Sequence, residues 1–202
     1  MLKFIFTCWF SFAVAVAAFA QTVKVDKPDL RVGDTWVVRN SYTGENETRT
    51  ITKIEKDLVH VAQKNTCGRE TMVYTREWAV VEYCGFPPGP AKRNPVPVVA
   101  IEPRQRMPFP VSEGQSWALK YVVGGGDVRY VEGKAFGWEK VTVLAGTFEA
   151  FKIEIVWSPR LGAKLKETRW YVPEVNNFIK VEVVPEGQND FELVSYKRAD
   201  GK

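Results

Sequence analysis

Histidine is nearly missing from this chain: of 202 residues only His60 is one. A metal site built from several histidines is therefore excluded, and a histidine-based catalytic dyad or triad would have to use His60, which sits between Val59 and Val61 in an apparent strand with no visible partner. Ser41, Ser112, Ser116, Ser158 and Ser195 occur in no nucleophile-elbow context. Gly124-Gly125-Gly126 lacks the Lys-Ser/Thr of a phosphate loop and no helical pattern follows it, so it reads as a hairpin turn. A dense basic stripe is also lacking, and a formal net charge of +4 is too mild for a dedicated nucleic-acid binder. No catalytic residue, metal ligand or cofactor-binding residue is assigned, and no cofactor is expected.

Long apolar runs are missing too, with one exception at the start. Residues 1–20 fit the three-part export pattern: Lys3 is the positive n-region, Phe4 to Ala20 is uncharged, and Ala18-Phe19-Ala20 offers a small-x-small cleavage site before Gln21. The run is a little short for a spanning helix, contains Thr7 and Ser11, and has no basic stop-transfer cluster after it. Cys8 lies early in the run, away from the cut, which argues against lipidation. The expectation is an exported protein, periplasmic or extracellular, with no transmembrane segment after processing. Cleavage after Ala20 leaves 182 residues carrying +3, since Lys3 is the only charge removed. That length suits one ordinary domain, or two small halves sharing a core.

Cysteine is scarce: Cys67 and Cys84 alone remain in the mature chain. In an oxidising compartment an even pair reads as a disulfide. Strands over Glu70 to Thr75 and Ala79 to Cys84, turned near Arg76-Glu77, would place Cys84 opposite residue 69 or 70, close to Cys67. The rival is a metal pair, but two sulfurs without a nearby histidine make a poor zinc site.

What is abundant is short β-branched and aromatic runs broken by Gly, Pro, Asn and Asp, the pattern of an all-β protein. The expected strands are Thr35 to Tyr42, Arg49 to Glu55, Leu58 to Gln63, Glu70 to Thr75 and Ala79 to Cys84, then Ser116 to Val123, Val128 to Ala135, Glu139 to Leu144, Thr147 to Trp157, Lys164 to Val172, Phe178 to Val184 and Phe191 to Lys197. Such spacing predicts an antiparallel meander curled into a barrel, half-barrel or sandwich. Phe151, Ile153, Ile155 and Trp157 share one face of their strand. Phe148 and Ala150 have the opposite parity, which a bulge near Ala150 would reconcile.

The segment 85–110 holds eight of the twelve prolines. Proline cannot donate to a ladder, so this is no central strand. It reads as an extended connector, with Val96 to Ile101 as a short edge strand. It divides the chain into an N-terminal meander (21–84) and a C-terminal β-domain (111–202). Each opens alike, Arg31-Val32-Gly33-Asp34-Thr35-Trp36 and Ser112-Glu113-Gly114-Gln115-Ser116-Trp117, with a glycine that permits a turn and a tryptophan that anchors the new strand. Either the meander is duplicated or this is a common way of opening a strand.

Among the acids, Glu132, Glu139, Glu154 and Glu167 are candidates for a glycosidase acid and base, though each also fits a solvated strand position. Asn46-Glu47-Thr48 is a glycosylation sequon in a eukaryotic host. Trp36, Trp78, Trp117, Trp138, Trp157 and Trp170 fit core packing, or the lining of a ligand cavity in a curved sheet.

The run Val141-Thr142-Val143-Leu144-Ala145-Gly146-Thr147-Phe148-Glu149-Ala150-Phe151-Lys152-Ile153, followed by Arg169-Trp170-Tyr171-Val172-Pro173-Glu174-Val175 and Ile179-Lys180-Val181, resembles exported bacterial β-domains of unknown function. These carry a V-x-V-x-A-G-T-F hairpin and a W-Y-x-P-x-V motif. The chain departs from them at Asn176-Asn177, where a glycine is commoner. The resemblance implies an architecture similar to the periplasmic half-barrels that carry lipoproteins, and it offers no catalytic residue. Three functions are in view: a non-enzymatic domain binding a lipid or other amphipathic ligand, with a lipid, lipoprotein or cell-envelope protein as partner; an envelope interaction module contacting others through Lys92, Arg93, Arg104 and Arg106; and a glycan or peptidoglycan hydrolase.

Overall fold

A computed structural model describes residues 24–63, 70–85, 96–122, 128–157, 164–185 and 190–200. The signal peptide, Cys67 and the side chain of Cys84 lie outside the described residues, and with them the expected disulfide.

The described residues form an all-β fold of fourteen strands. They are β1 Lys24–Val25, β2 Thr35–Asn40, β3 Asn46–Glu55, β4 Leu58–Ala62, β5 Thr71–Thr75, β6 Val80–Gly85, β7 Val96–Arg104, β8 Val111–Ser112, β9 Ser116–Val122, β10 Val128–Val143, β11 Gly146–Trp157, β12 Leu165–Val172, β13 Asn177–Val184 and β14 Phe191–Lys197. Strands β1 and β8 pair into a small second sheet. The other twelve make one antiparallel sheet in the order β7-β6-β5-β4-β3-β2-β14-β13-β12-β11-β10-β9. Its two edges, β7 and β9, come into contact, so the sheet is nearly closed into a barrel. At this seam the Arg104 guanidinium of β7 lies 5.3 Å from the centre of the Tyr121 ring of β9.

The order has a simple internal logic. Six strands, β2 to β7, run as one meander, and six more, β9 to β14, run as another. The first strand of each meets the last of the other: β2 pairs with β14, and β9 lies against β7. The two opening turns match in their hydrogen bonds. Gly33 N donates to Ile51 O and Ile51 N to Asp34 O; Gly114 N donates to Ala135 O and Ala135 N to Gln115 O. In each turn a side chain closes back on its own start, Asp34 Oδ2 accepting from Arg31 N and Gln115 Oε1 from Ser112 N. Both glycines have positive φ, +96° and +77°, where a Cβ would be strained.

Three expectations are corrected in detail. The strands read as Val128 to Ala135 and Glu139 to Leu144 are one strand, β10, of 16 residues. The bulge expected near Ala150 lies on the partner strand instead, where Phe136 is the extra residue between Ala135 and Gly137. The connector strand reaches Arg104 rather than stopping at Ile101, and it is an edge strand. Proline is tolerated on an edge strand, where not every N–H has to join a ladder.

The two parities of β11 face two different cores, and the bulge lets β10 follow them from one core to the other. Phe151, Ile153, Ile155 and Trp157 enter one core cluster with Tyr121, Val131 and Val181. Val141, Val143 and Ala150 enter a second with Trp36, Val38 and Leu193. The β10–β11 hairpin thus presents opposite faces to two cores, and its tip is tied to β14 by Ala145 N donating to Leu193 O at 3.0 Å.

Candidate functional site

Strand alternation turns one side of each strand into the barrel. There the packing leaves a cavity of about 450 Å³, a size usual for small-molecule sites. Part of its wall is apolar, with Val38, Val61, Met72, Val80, Val181 and Val183. Aromatic rings join them: Trp36, Tyr74, Trp78, Trp157, Phe178 and Phe191. The rest is charged or polar, chiefly Glu47, Arg49, Arg106, Glu167 and Arg169.

These charges come from two copies of one tripeptide. Glu47-Thr48-Arg49 lies on β3 and Glu167-Thr168-Arg169 on β12. Residues two apart in a strand share a face, so each Glu and Arg point inward together. Arg49 donates to Glu47 Oε2 from Nε at 2.9 Å and Nη2 at 2.6 Å. Arg169 donates to Glu167 Oε1 from the same two atoms at 2.9 and 2.5 Å. Each guanidinium also stacks at 4.9 Å on a phenylalanine, Arg49 on Phe191 and Arg169 on Phe178. Such contacts hold a planar cation where hydration is lost.

Arg106 completes the group from the loop after β7. It stacks on the Trp157 ring at 4.1 Å. Its Nη1 is 4.0 Å from Glu167 Oε2, too far for a hydrogen bond. Both atoms are buried with no hydrogen-bond partner. Burial pulls the Arg106 pKa down to about 10, against Glu167, which raises it; Arg169 and Arg104 add repulsion. The guanidinium still carries its proton at neutral pH. For Glu167, burial favours the neutral acid, but Arg169 and Arg106 outweigh it and the pKa is lowered.

The Arg106 loop is held by a tryptophan lying on a glycine. Trp117 Nε1 donates to Arg106 O at 3.1 Å. A Cβ at Gly133 of β10 would come within 2.2 Å of the Trp117 ring. Gly133 is thus the bare backbone on which the ring lies.

The structure separates the other candidate residues. Among the four acids, Glu167 alone faces the cavity. Glu139 accepts from Trp170 Nε1 and pairs with Lys152, and Glu154 pairs with Lys166. Glu132 is exposed. His60 alternates with the buried Val59 and Val61 and so faces away from the cavity. Of the basic residues expected on an outer contact surface, Arg106 lines the cavity and Arg104 covers Tyr121, while Lys92 and Arg93 lie outside the described residues. Trp36, Trp78 and Trp157 line the cavity, whereas Trp170 sits on the opposite face of β12 between Lys152 and Lys180. Arg49, Arg106 and Arg169 were not legible as a site, though the repeated Glu-Thr-Arg was a signal for two of them.

The run Val141 to Ile153 lies in the β10–β11 hairpin. The run Trp170 to Val175 leads out of β12 to Val175, fully buried, whose carbonyl accepts from Trp36 Nε1 at 2.9 Å.

No protein-family model and no curated protein matches the sequence. Two solved structures are similar over most of the chain. One is a predicted exported protein with a YmcC-like fold from Bacteroides fragilis, at 12% identity and a TM-score of 0.45, covering 86% of this chain and 100% of that one. The other is a predicted lipoprotein from Parabacteroides distasonis, at 13% identity and a TM-score of 0.41, covering 85% and 97%. Likeness at this level bears on neither ligand nor family.

Proposed function

We propose that this protein is an exported, non-enzymatic β-domain that holds a small amphipathic ligand inside its barrel. One observation carries the reading: a cavity of about 450 Å³ whose wall is apolar over one part and ionic over another. A purely structural barrel gains by filling its interior to close packing and by pairing every buried polar atom. This interior does neither. It keeps a space, and beside it two buried ionic atoms without hydrogen-bond partners. Export rests on the leader pattern of residues 1–20. The non-enzymatic reading is supported by the electrostatics of Glu167, which its arginines hold ionised, unsuited to giving up a proton as a glycosidase acid would.

Native mass spectrometry of the protein purified from its own host tests the proposal. The expected result is a retained small molecule that is released on unfolding. A protein that is empty, and that also fails to take up Nile red, overturns it.

A second reading, an envelope interaction module, is favoured by one outer feature. Val128, Tyr130 and Phe136 stand exposed on the same face of β10, next to edge strand β9. Crosslinking from position 130 in cells would recover a partner if this face is the contact, and recovery of none removes the reading.

A further inference from the structure

We infer that the ligand of this cavity carries a single oxyanion, a carboxylate or a phosphate monoester, seated against Arg106 between the two Glu-Thr-Arg pairs. The inference rests on the binding reading above and sharpens it to a chemical class.

The charge balance of the cavity wall points this way. Three arginines face it and two glutamates. Each glutamate gives one oxygen to both donors of its neighbouring arginine. Arg106 has no carboxylate of its own: it shares Glu167, 4.0 Å away, with Arg169, and its Nη1 is buried without a hydrogen bond. A buried guanidinium with an unpaired N–H is costly, and an oxyanion supplies the acceptor that this donor lacks. A cationic ligand would meet an excess of like charge. A neutral sugar would leave the surplus positive charge unanswered, and three of the six lining rings, Phe191, Trp157 and Phe178, are already covered by guanidinium groups at 4.9, 4.1 and 4.9 Å.

The site is also prearranged. Arg106 is fixed at its backbone by the Trp117 indole and at its side chain by the Trp157 ring. Little ordering is then left to oppose binding. The two oxyanion classes differ in one respect. Glu167 Oε2 is a buried acceptor that takes no hydrogen bond from either arginine, with the Trp157 indole as its neighbouring donor. A singly protonated phosphate can accept from Arg106 and donate to Glu167, whereas a carboxylate can only accept.

The test compares three probes of matched chain, oleate, oleyl alcohol and oleoyl lysophosphatidate, titrated into the full-length mature protein by calorimetry. At least one acid is expected to bind about 10- to 100-fold tighter than the alcohol, the range a charged hydrogen bond supplies. Which acid binds tighter separates the two sources. Arg106→Met should abolish the preference without lowering the thermal midpoint, and Arg106→Lys should keep it in part. A structural role would instead lower the midpoint and leave the preference intact, which overturns the assignment. Equal binding of acids and alcohol by the wild type overturns the oxyanion and leaves the binding reading standing. Binding of none overturns the binding reading itself. If Arg106→Met does not fold, the wild-type comparison and Arg106→Lys decide.

Discussion

Glu47-Thr48-Arg49 and Glu167-Thr168-Arg169 are the same three residues, in the same local geometry, over the same kind of ring at the same distance. They differ in burial. The Glu47 side chain is 25% exposed and the Glu167 side chain 5%. They differ also in company, since Arg106 reaches Glu167 alone. An i, i+2 ion pair on a strand is therefore a local product of alternation, and it says little about role. Depth decides whether the pair is a partly solvated bridge or a desolvated cluster whose electrostatics are strong.

The sharpest way to break this comparison is to remove each carboxylate's charge. Glu167→Gln leaves Arg169 and Arg106 buried without their anion, and should cost about 3 kcal/mol in urea unfolding. Glu47→Gln, in partial solvent, should cost about 1 kcal/mol or less. Equal losses would erase the distinction. Next in size is Gly133→Ala, whose Cβ collides with Trp117. Overpacking of this kind costs about 1–3 kcal/mol. It should also loosen Arg106, and so weaken acidic probes more than oleyl alcohol in the same titration.

A pH series sharpens the contrast further. The Glu167 carboxyl has a folded pKa below its unfolded value, which is about 4.3. Its ionised form therefore stabilises the fold fully above the unfolded pKa, and that contribution disappears as pH falls through the lower, folded pKa. The stability gap between wild type and Glu167→Gln should stay constant at neutral pH and close only in acid, below about pH 4.3. A gap that closes nearer neutrality would show that the arginines do not hold the carboxylate.

The smallest effect should come from the other face of β12. There Lys180 lies 5.1 Å from the centre of the Trp170 ring in partial solvent. Lys180→Ala should cost about 0.5 kcal/mol, the lower range for exposed cation–ring contacts, and added salt should shrink it.

Much of the barrel was readable because its causes are local. The strands from Thr35 to Lys197 follow β-branched and aromatic alternation, and the turns at Gly33 and Gly114 follow from one glycine and one capping side chain each. The proline-rich segment announced an edge because proline cannot donate. The errors lie where one segment's placement depends on another. The bulge at Phe136 was placed on the wrong strand because parity in β11 alone cannot say which of two paired strands carries the extra residue. Arg106 reads in the sequence as part of a basic outer contact surface, since nothing nearby in sequence tells that its loop turns inward beneath Trp117.

Composition and alternation by themselves determined that this chain is all-β, that it lacks the histidines for common catalytic and metal chemistry, and that Glu-Thr-Arg places an acid and a base on one face wherever it sits in a strand. Only the tertiary structure decided which of those faces is inside. Closing the sheet brings β3 and β12, far apart in sequence, to one cavity, and draws in Arg106 from a third segment. The reason is physical: side-chain parity is a property of one strand, but burial, and with it the strength of every charge in the cavity, depends on what the other eleven strands enclose.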